Sequence, residues 1–497
     1  MFTFSQDCWK PRAEYHDAEH LEIPYKPFLR TEKLGRVADI SSAHPPSKSK
    51  ESRTGEGAFF AVDIKTTQKK PARRTAPSTR KTQVQQPQRR EQRYTGRRRY
   101  VKPDRTISAV LRSLAVDPDV SWELLQEYSL TNLGKTNLPE SVKIESTNVG
   151  DYGSLRIYDK SFDTVTSRTK RSLVGDSIAP PNPTASKDPV FAEMAASGKA
   201  NVFATSDVLT SLMTAPRSVI SFDVAVVKKN GCYWLDKRSD AIMFEGVSID
   251  ENSTTAPFKD KGPDSPLELF KEVNSVCNLV RDELLVSVPD SVPDLESPPS
   301  ELSIPDNVSY GFRYKIFELP SGFRLALRLP LNGLLQGSDG SLEHLYVRTL
   351  YEWFEQSGLN GWKHRVDKKK GAILAEELHA NTTQMGKWAL EGILADISMV
   401  QLAFVSRVAD TAPDLLSTMY GTNKGILQQL NLSLSNCWAN VMVLLDEISR
   451  QSDGIYCVLR PYGKSVLRLY SAANVASIED LFMSHSFITD EEEDQEQ

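Results

Sequence analysis

The stretch Val219-Ile220-Ser221-Phe222-Asp223-Val224-Ala225-Val226-Val227, followed by a lysine-led turn through Asn230-Gly231 and by Cys232-Tyr233-Trp234-Leu235, decides the fold class. Asn-Gly is the preferred pair of a two-residue type I′ turn, because both positions need positive φ and both residues tolerate it. The β-branched and aromatic residues on either side suit a pleated, half-buried surface. A β-hairpin is therefore predicted. Moving outward, residues 312–319 and 323–329 form a second pair across Pro320-Ser321-Gly322, and 455–459 pair with 466–470 across Tyr462-Gly463. Antiparallel sheet follows from these pairs.

Between the hairpins the apolar spacing becomes helical. In residues 341–355, Leu342, Leu345, Tyr346, Thr349, Leu350 and Trp353 share a face. Residues 383–397 repeat this with Trp388, Ile393, Leu394 and Ile397, and residues 433–448 with Cys437, Trp438, Val441, Leu445 and Ile448. Each begins near a Ser or Thr able to cap the free amides of a first turn. The short apolar run 372–375 reads as a strand. Hairpins mixed with long helices predict an α+β domain over residues 121–476, with mixed, mostly antiparallel sheets and packed helices.

With 497 residues and 39% hydrophobic content the chain has material for a large core. Its net charge of -5 hides two extremes. Residues 65–105 hold fifteen Lys or Arg against Glu91 and Asp104, a net +13. Residues 479–497 hold eight acids and no Lys or Arg, a net -8, so the remainder carries -10. Bulk attraction for polyanions is thus expected from the arm. Residues 1–40 carry Trp9, Tyr25, Phe28, Leu34 and Val37 without helical or strand period, and read as an extended segment that orders on a partner. Residues 41–120 read as a disordered basic arm, and 477–497 as an acidic tail. Residues 287–306, with five prolines and five acids, read as a solvated insert. Five scattered cysteines without CxxC spacing argue against a secreted disulfide framework. The N-terminus lacks a signal-peptide pattern and no apolar run reaches membrane-span length, so a soluble, cytoplasmic protein without membrane contact is expected.

In the arm, Arg89, Arg90, Arg93, Tyr94, Arg97, Arg98, Arg99 and Tyr100 combine guanidinium groups with rings. Guanidinium pairs bidentately with phosphate and tyrosine stacks on unpaired bases, so single-stranded RNA suits the run. A nuclear-localisation signal or a solvated linker has the same composition. No HExxH, GxSxG or glycine-rich phosphate loop occurs. A metal-dependent nuclease needs convergent carboxylates. Asp223 and Glu377-Leu378-His379, with Glu376 and Glu391, approach that pattern, but His379 stands where a lysine would supply a permanent cation. No catalytic residue, metal ligand or cofactor is assigned.

A series of blocks runs along nearly the whole chain: Tyr25-Lys26-Pro27-Phe28 with Leu34-Gly35-Arg36-Val37-Ala38-Asp39, and Tyr158-Asp159-Lys160 with Phe162-Asp163. Then come Asn201-Val202-Phe203-Ala204-Thr205 through Leu212-Met213 to Arg217-Ser218-Val219, and Asp236-Lys237-Arg238. Gly371-Ala372-Ile373-Leu374-Ala375 with Glu377-Leu378, Phe404-Val405-Ser406-Arg407, Gln429-Leu430-Asn431-Leu432-Ser433 and the acidic end complete it. In this order they resemble the D-subunit family of eukaryotic translation initiation factor 3. The resemblance implies a cap-binding domain like that of the DXO family of 5′-end-processing enzymes, engaging the cap of selected messenger RNAs. It implies as partners the other initiation factor 3 subunits, the e subunit through the N-terminal segment, and the 40S ribosomal subunit.

Carried over residue by residue, it places cap and RNA contacts at Ser206, Asp207, Val219 and Ile220. The family commonly has Asp directly after the NVFAT threonine, where this chain has Ser206, and an aromatic where Ile220 stands. It also implies an RNA gate at Ile242-Met243-Phe244-Glu245-Gly246-Val247-Ser248-Ile249-Asp250-Glu251-Asn252-Ser253-Thr254-Thr255-Ala256, whose acids repel incoming phosphates when closed. The family's Glu-Leu-Lys is Glu377-Leu378-His379 here, which lends no support to catalysis. The expected function is a non-enzymatic, cap-binding initiation factor subunit. The alternatives are a metal-dependent RNA 5′-end hydrolase and a scaffold subunit that binds no cap.

Overall fold

A computed structural model describes residues 115–116, 118–119, 121–175, 179–218, 220–237, 266–287, 295–299, 302, 308–354, 361–408 and 411–472. The N-terminal segment, residues 41–114 of the basic arm, Val219, residues 242–256 and the acidic tail lie outside the described residues.

Two mixed sheets organise the body. The larger has nine strands among the described residues, in the order β1 (Glu123–Ser129), β16 (Val466–Ser471), β15 (Gly454–Arg460), β6 (Phe222–Lys229), β7 (Cys232–Asp236), β5 (Val202–Thr205), β10 (Arg324–Leu331), β9 (Tyr310–Glu318) and β2 (Glu145–Ser154). The smaller has seven: β4 (Arg171–Ser172), β14 (Asp414–Thr422), β13 (Met399–Val408), β12 (Leu342–Phe354), β11 (Gly333–Gln336), β3 (Ile157–Tyr158) and β8 (Leu285–Val286). The predicted hairpins are present as β6/β7, β9/β10 and β15/β16. At the first turn Asn230 has φ 53° and Gly231 φ 76°, as a type I′ turn requires. At the second, Ser321 and Gly322 have φ 62° and 79°. The pairings β5/β7, β5/β10, β11/β3 and β12/β13 are parallel.

The main core is shared by one face of each sheet and by the helices Ser206–Thr214, Trp362–Ala380, Thr382–Leu394 and Leu434–Arg450. Ser433 caps the last of these by accepting the Asn436 N–H, as its sequence predicts. The opposite face of the larger sheet, through Phe203, Phe312, Tyr314 and Ala326, is covered by the helix Pro189–Ala196. That of the smaller sheet, through Leu345, Val347, Ala403 and Val405, packs Val276, Val280 and Leu284 of the helix Pro266–Leu284. Within the 287–306 stretch, Leu302 is buried in the cluster around Phe203, and Glu296 bridges Tyr152 of β2.

Two expectations are corrected. Within residues 341–355, the stretch expected as a helix, Leu342–Phe354 instead make β12, a thirteen-residue strand. Its Tyr346 and Leu350 enter the main core while Leu345 and Val347 enter the opposite cluster. A central strand apolar on both faces loses its period of two, and chance spacing then imitates a helix. His344 therefore stands on a strand. Conversely, residues 372–375 are not a strand but the interior of the helix Trp362–Ala380, which bends at Lys369. A four-residue apolar run is shared by buried strands and helix faces, and only length and packing separate them. The candidate acid Glu377 consequently sits on a helix. It accepts a hydrogen bond from Asn381 Nδ2 at 2.9 Å.

Candidate functional site

Strands β7, β5 and β10 are parallel neighbours, so their carboxyl ends lie side by side. Open sheets place ligand sites at such ends. β5 runs straight into the helix Ser206–Thr214 with Thr205 at its N-cap, which puts Ser206 and Asp207 in the first turn. Thr205 is in register with Arg328 of β10, and Lys237 follows the last residue of β7. From the smaller sheet β12 brings Arg348, and two helices close the space: Thr382–Leu394 with Lys387, Trp388 and Glu391, and Pro266–Leu284 with Asn274 and Arg281. The result is a cleft of about 340 Å³, to which Tyr310 and Phe312 add rings.

Its charges are paired in a specific way. Lys237 Nζ donates to Asp207 Oδ2 at 2.6 Å, and Asn182 Nδ2 donates to the same oxygen at 3.1 Å. Burial alone would raise the Asp207 carboxyl. The Lys237 ammonium outweighs it and holds the group down at about 2. Ser206 Oγ donates to Glu391 Oε1 at 2.8 Å, and Arg348 donates to Glu391 Oε2 at 2.5 Å. The Arg348 guanidinium lies 4.6 Å from the Tyr346 ring centre and 5.7 Å from that of Trp388, so two rings and a carboxylate fix its plane. Arg328, 2% exposed, donates to Asp188 Oδ2 at 2.5 Å, to Asn182 Oδ1 at 2.8 Å and to the Pro183 carbonyl. Tyr314 Oη donates to the same Asp188 oxygen at 2.9 Å.

Four cations, Arg281, Arg328, Arg348 and Lys387, line the cleft against two acids, Asp207 and Glu391. Arg348 Nε and Asn274 Oδ1 are buried there without a hydrogen-bond partner, one donor and one acceptor. Buried polar atoms are rarely left so unless something else satisfies them. Among the described residues no three His, Cys, Asp or Glu side chains converge in a metal-holding group. Both cleft carboxylates are engaged by cations, which does not fit a divalent-ion site.

Of the residues singled out by the sequence, Ser206, Asp207 and Glu391 reach the cleft. Ile220 is buried just before β6 and is not among the lining residues. Asp223 accepts the Val116 N–H at 2.8 Å, and neither Asp223 nor Glu377 lines the cleft. Sequence reasoning missed Arg328, Arg348, Arg281 and Lys387. For Arg328 a signal was there: an arginine inside the apolar run Leu325-Ala326-Leu327-Arg328-Leu329 must be buried with a partner if that strand is central. Arg348 was hidden by the helical reading of β12.

No helix among the described residues is long and apolar enough to cross a membrane. Among solved structures, Scheffersomyces stipitis Rai1 is similar over 72% of this chain and 94% of its own, at 11% identity and a TM-score of 0.44. Dxo1 of K. lactis, solved in complex with manganese, is similar over 71% of this chain and 96% of its own, at 8% identity and a TM-score of 0.34. In sequence, the D-2 subunit of eukaryotic translation initiation factor 3 from Drosophila erecta is 28% identical over 93% of this chain and 94% of its own length. The D subunit from Pyricularia oryzae is 30% identical over 76% of this chain and 69% of its own. The family described as eukaryotic translation initiation factor 3 subunit 7 matches residues 45–471, and the chain belongs to that family, whose curated relatives carry the D designation.

Proposed function

We propose that this chain is an initiation factor 3 subunit whose cleft holds the 5′ end of capped RNA without cutting it. The observation that carries this reading is what faces the cleft: Arg281, Arg328, Arg348 and Lys387 line it against Asp207 and Glu391, and the acids that hold Arg328 and Arg281, Asp188 and Asp282, are not among the lining residues. A polyphosphate bridge is the ligand such a surplus favours, because fixed guanidinium groups pair with phosphate oxygens at little further entropic cost. Trp388, Tyr310 and Phe312 offer rings for a terminal base. Ser206 then acts as a positioning residue, orienting Glu391 and through it Arg348, and Asp207 does the same for Lys237. Val219 and Ile220 remain contacts proposed on the resemblance.

The same reading assigns the wider role: translation initiation in the cytoplasm on selected messengers at the 40S ribosomal subunit, with the e subunit docking on residues 1–40. Residues 242–256 act as a gate. They fall in the chain between Lys237, which pairs with the cleft residue Asp207, and the helix Pro266–Leu284, whose Asn274 and Arg281 line the cleft. Titrating the full chain with a fluorescent cap analogue, with and without residues 242–256, tests this. Saturable binding is expected, tighter without the gate and weakened at least about tenfold by Arg348→Ala. Equal affinity for capped and uncapped transcripts overturns the reading. Capped RNA kept with Mg²⁺ or Mn²⁺ should stay intact, and losses abolished by Glu391→Gln would favour a hydrolase instead.

A further inference from the structure

Away from the cleft, loop 166–171 (Thr-Ser-Arg-Thr-Lys-Arg) meets the start of the helix Trp362–Ala380. Ser167 joins them: its N–H and Oγ–H donate to the two oxygens of Asp367 at 2.9 and 2.6 Å. The apolar side of the helix is anchored, with Trp362 against Phe404 at 5.8 Å and Val366 buried. Its other side, with Lys363, His364, Lys368 and Lys369, is exposed, as are Arg168, Lys170 and Arg171 of the loop. Lys170 pairs with Asp414, and Arg171 lies over the Phe162 ring at 4.3 Å. None of Arg168, Lys363, Lys368 and Lys369 makes a close ion pair among the described residues, though Arg168 lies near enough to act on Asp367 electrostatically. The bend at Lys369 lets Arg365 take Glu376, at 3.1 and 2.7 Å, so that acid is occupied within the helix. Asp367, held below the usual carboxylate range by the Ser167 side chain and backbone, is committed to the loop.

We propose that this pinned loop and helix form a second RNA-binding face, which takes the sugar-phosphate backbone without reading sequence. The remainder of the chain outside arm and tail is net -10, so a cationic face on it is a local arrangement and not a bulk property. No large apolar side chain is exposed in loop 166–171 or at helix positions 363–369, which removes the anchor that a protein partner's hot spot needs. Repeated phosphates need only a row of long cations on a rigid support. The inference is independent of the cap reading, since none of these residues lines the cleft.

The test uses the full chain and a short uncapped single-stranded RNA, with affinity measured across a range of salt. One variant carries Arg168→Gln, Lys363→Gln, Lys368→Gln and Lys369→Gln. A charge-matched control carries Lys135→Gln, Lys143→Gln, Lys199→Gln and Lys464→Gln, all at exposed positions. The first variant is expected to bind at least about tenfold more weakly at moderate salt, its log K against log salt slope shallower by about 2–3, at roughly 0.7 per lost phosphate contact. The control should change affinity by less than about twofold. Equal losses in both, or none in the first, overturn the proposal, as does cross-linking of this face to protein only. Both variants should bind the cap analogue like the parent, which separates this outcome from that of the cleft. Should the larger variant melt early, Lys368→Gln with Lys369→Gln alone must still give part of the loss.

Discussion

At the scale of the residue, the cleft depends on cations whose counter-charges are built into the same walls. Lys237, 2% exposed, would be costly to bury without Asp207. Because the Asp207 carboxyl is lowered to about 2 against a usual 3.8, the folded state binds fewer protons there than the unfolded one. Its contribution to stability is complete above the unfolded value and is lost as pH falls through the folded value. That contribution is roughly 2 kcal/mol from the shift alone. Asp207→Asn should cost more at neutral pH, about 3–5 kcal/mol, since it strands a buried ammonium. Denaturant titrations should also show a flatter fall in stability for this variant between about pH 4 and about pH 2. An unchanged acid limb would show that the pair is not the source.

At the scale of the element, tolerance to a methyl group separates two glycines on neighbouring helices. A Cβ at Gly392 would lie 1.9 Å from Asn423 Nδ2, which donates to the Ile397 carbonyl at 2.7 Å. Gly392→Ala should therefore destabilise by about 1–3 kcal/mol in chemical denaturation. At Gly371 nothing lies within 4 Å of an added Cβ. Gly371→Ala should stabilise by up to about 1 kcal/mol, by helix propensity alone. Equal effects at both would contradict the close approach of helix Thr382–Leu394 to Asn423. The same scale shows where pattern reading fails. The hairpins were legible because Asn230-Gly231, Gly322 and Gly463 tolerate the left-handed backbone that their turns adopt, a local property. β12 was not, because its two apolar faces belong to two different cores that only the assembled fold supplies.

At the scale of the whole molecule, charge is divided between a net +13 stretch at 65–105, a net -8 end at 479–497 and a net -10 remainder. Removing residues 65–105 from the full chain should cut affinity for uncapped RNA steeply and reduce its salt slope by more than the four-residue change on the folded face. Cap-analogue affinity should hold. A fall in both together would mean that the arm and the cleft grip one ligand. By itself, the sequence determined the α+β class, three hairpins, two of the three helices read from its periodicity, the family, and the presence of Ser206 and Asp207 at a helix start. These follow from turn chemistry, capping and local motifs, which act over a few residues. Only the tertiary structure decided that Arg328, Arg348 and Glu391 line one cleft and that Lys237 pairs with Asp207 there, because they come from β10, β12, a helix and the end of β7. Their pairing rests on parallel strand register and on two sheets sharing one core, and no local signal encodes distances set by contacts so far apart in the chain.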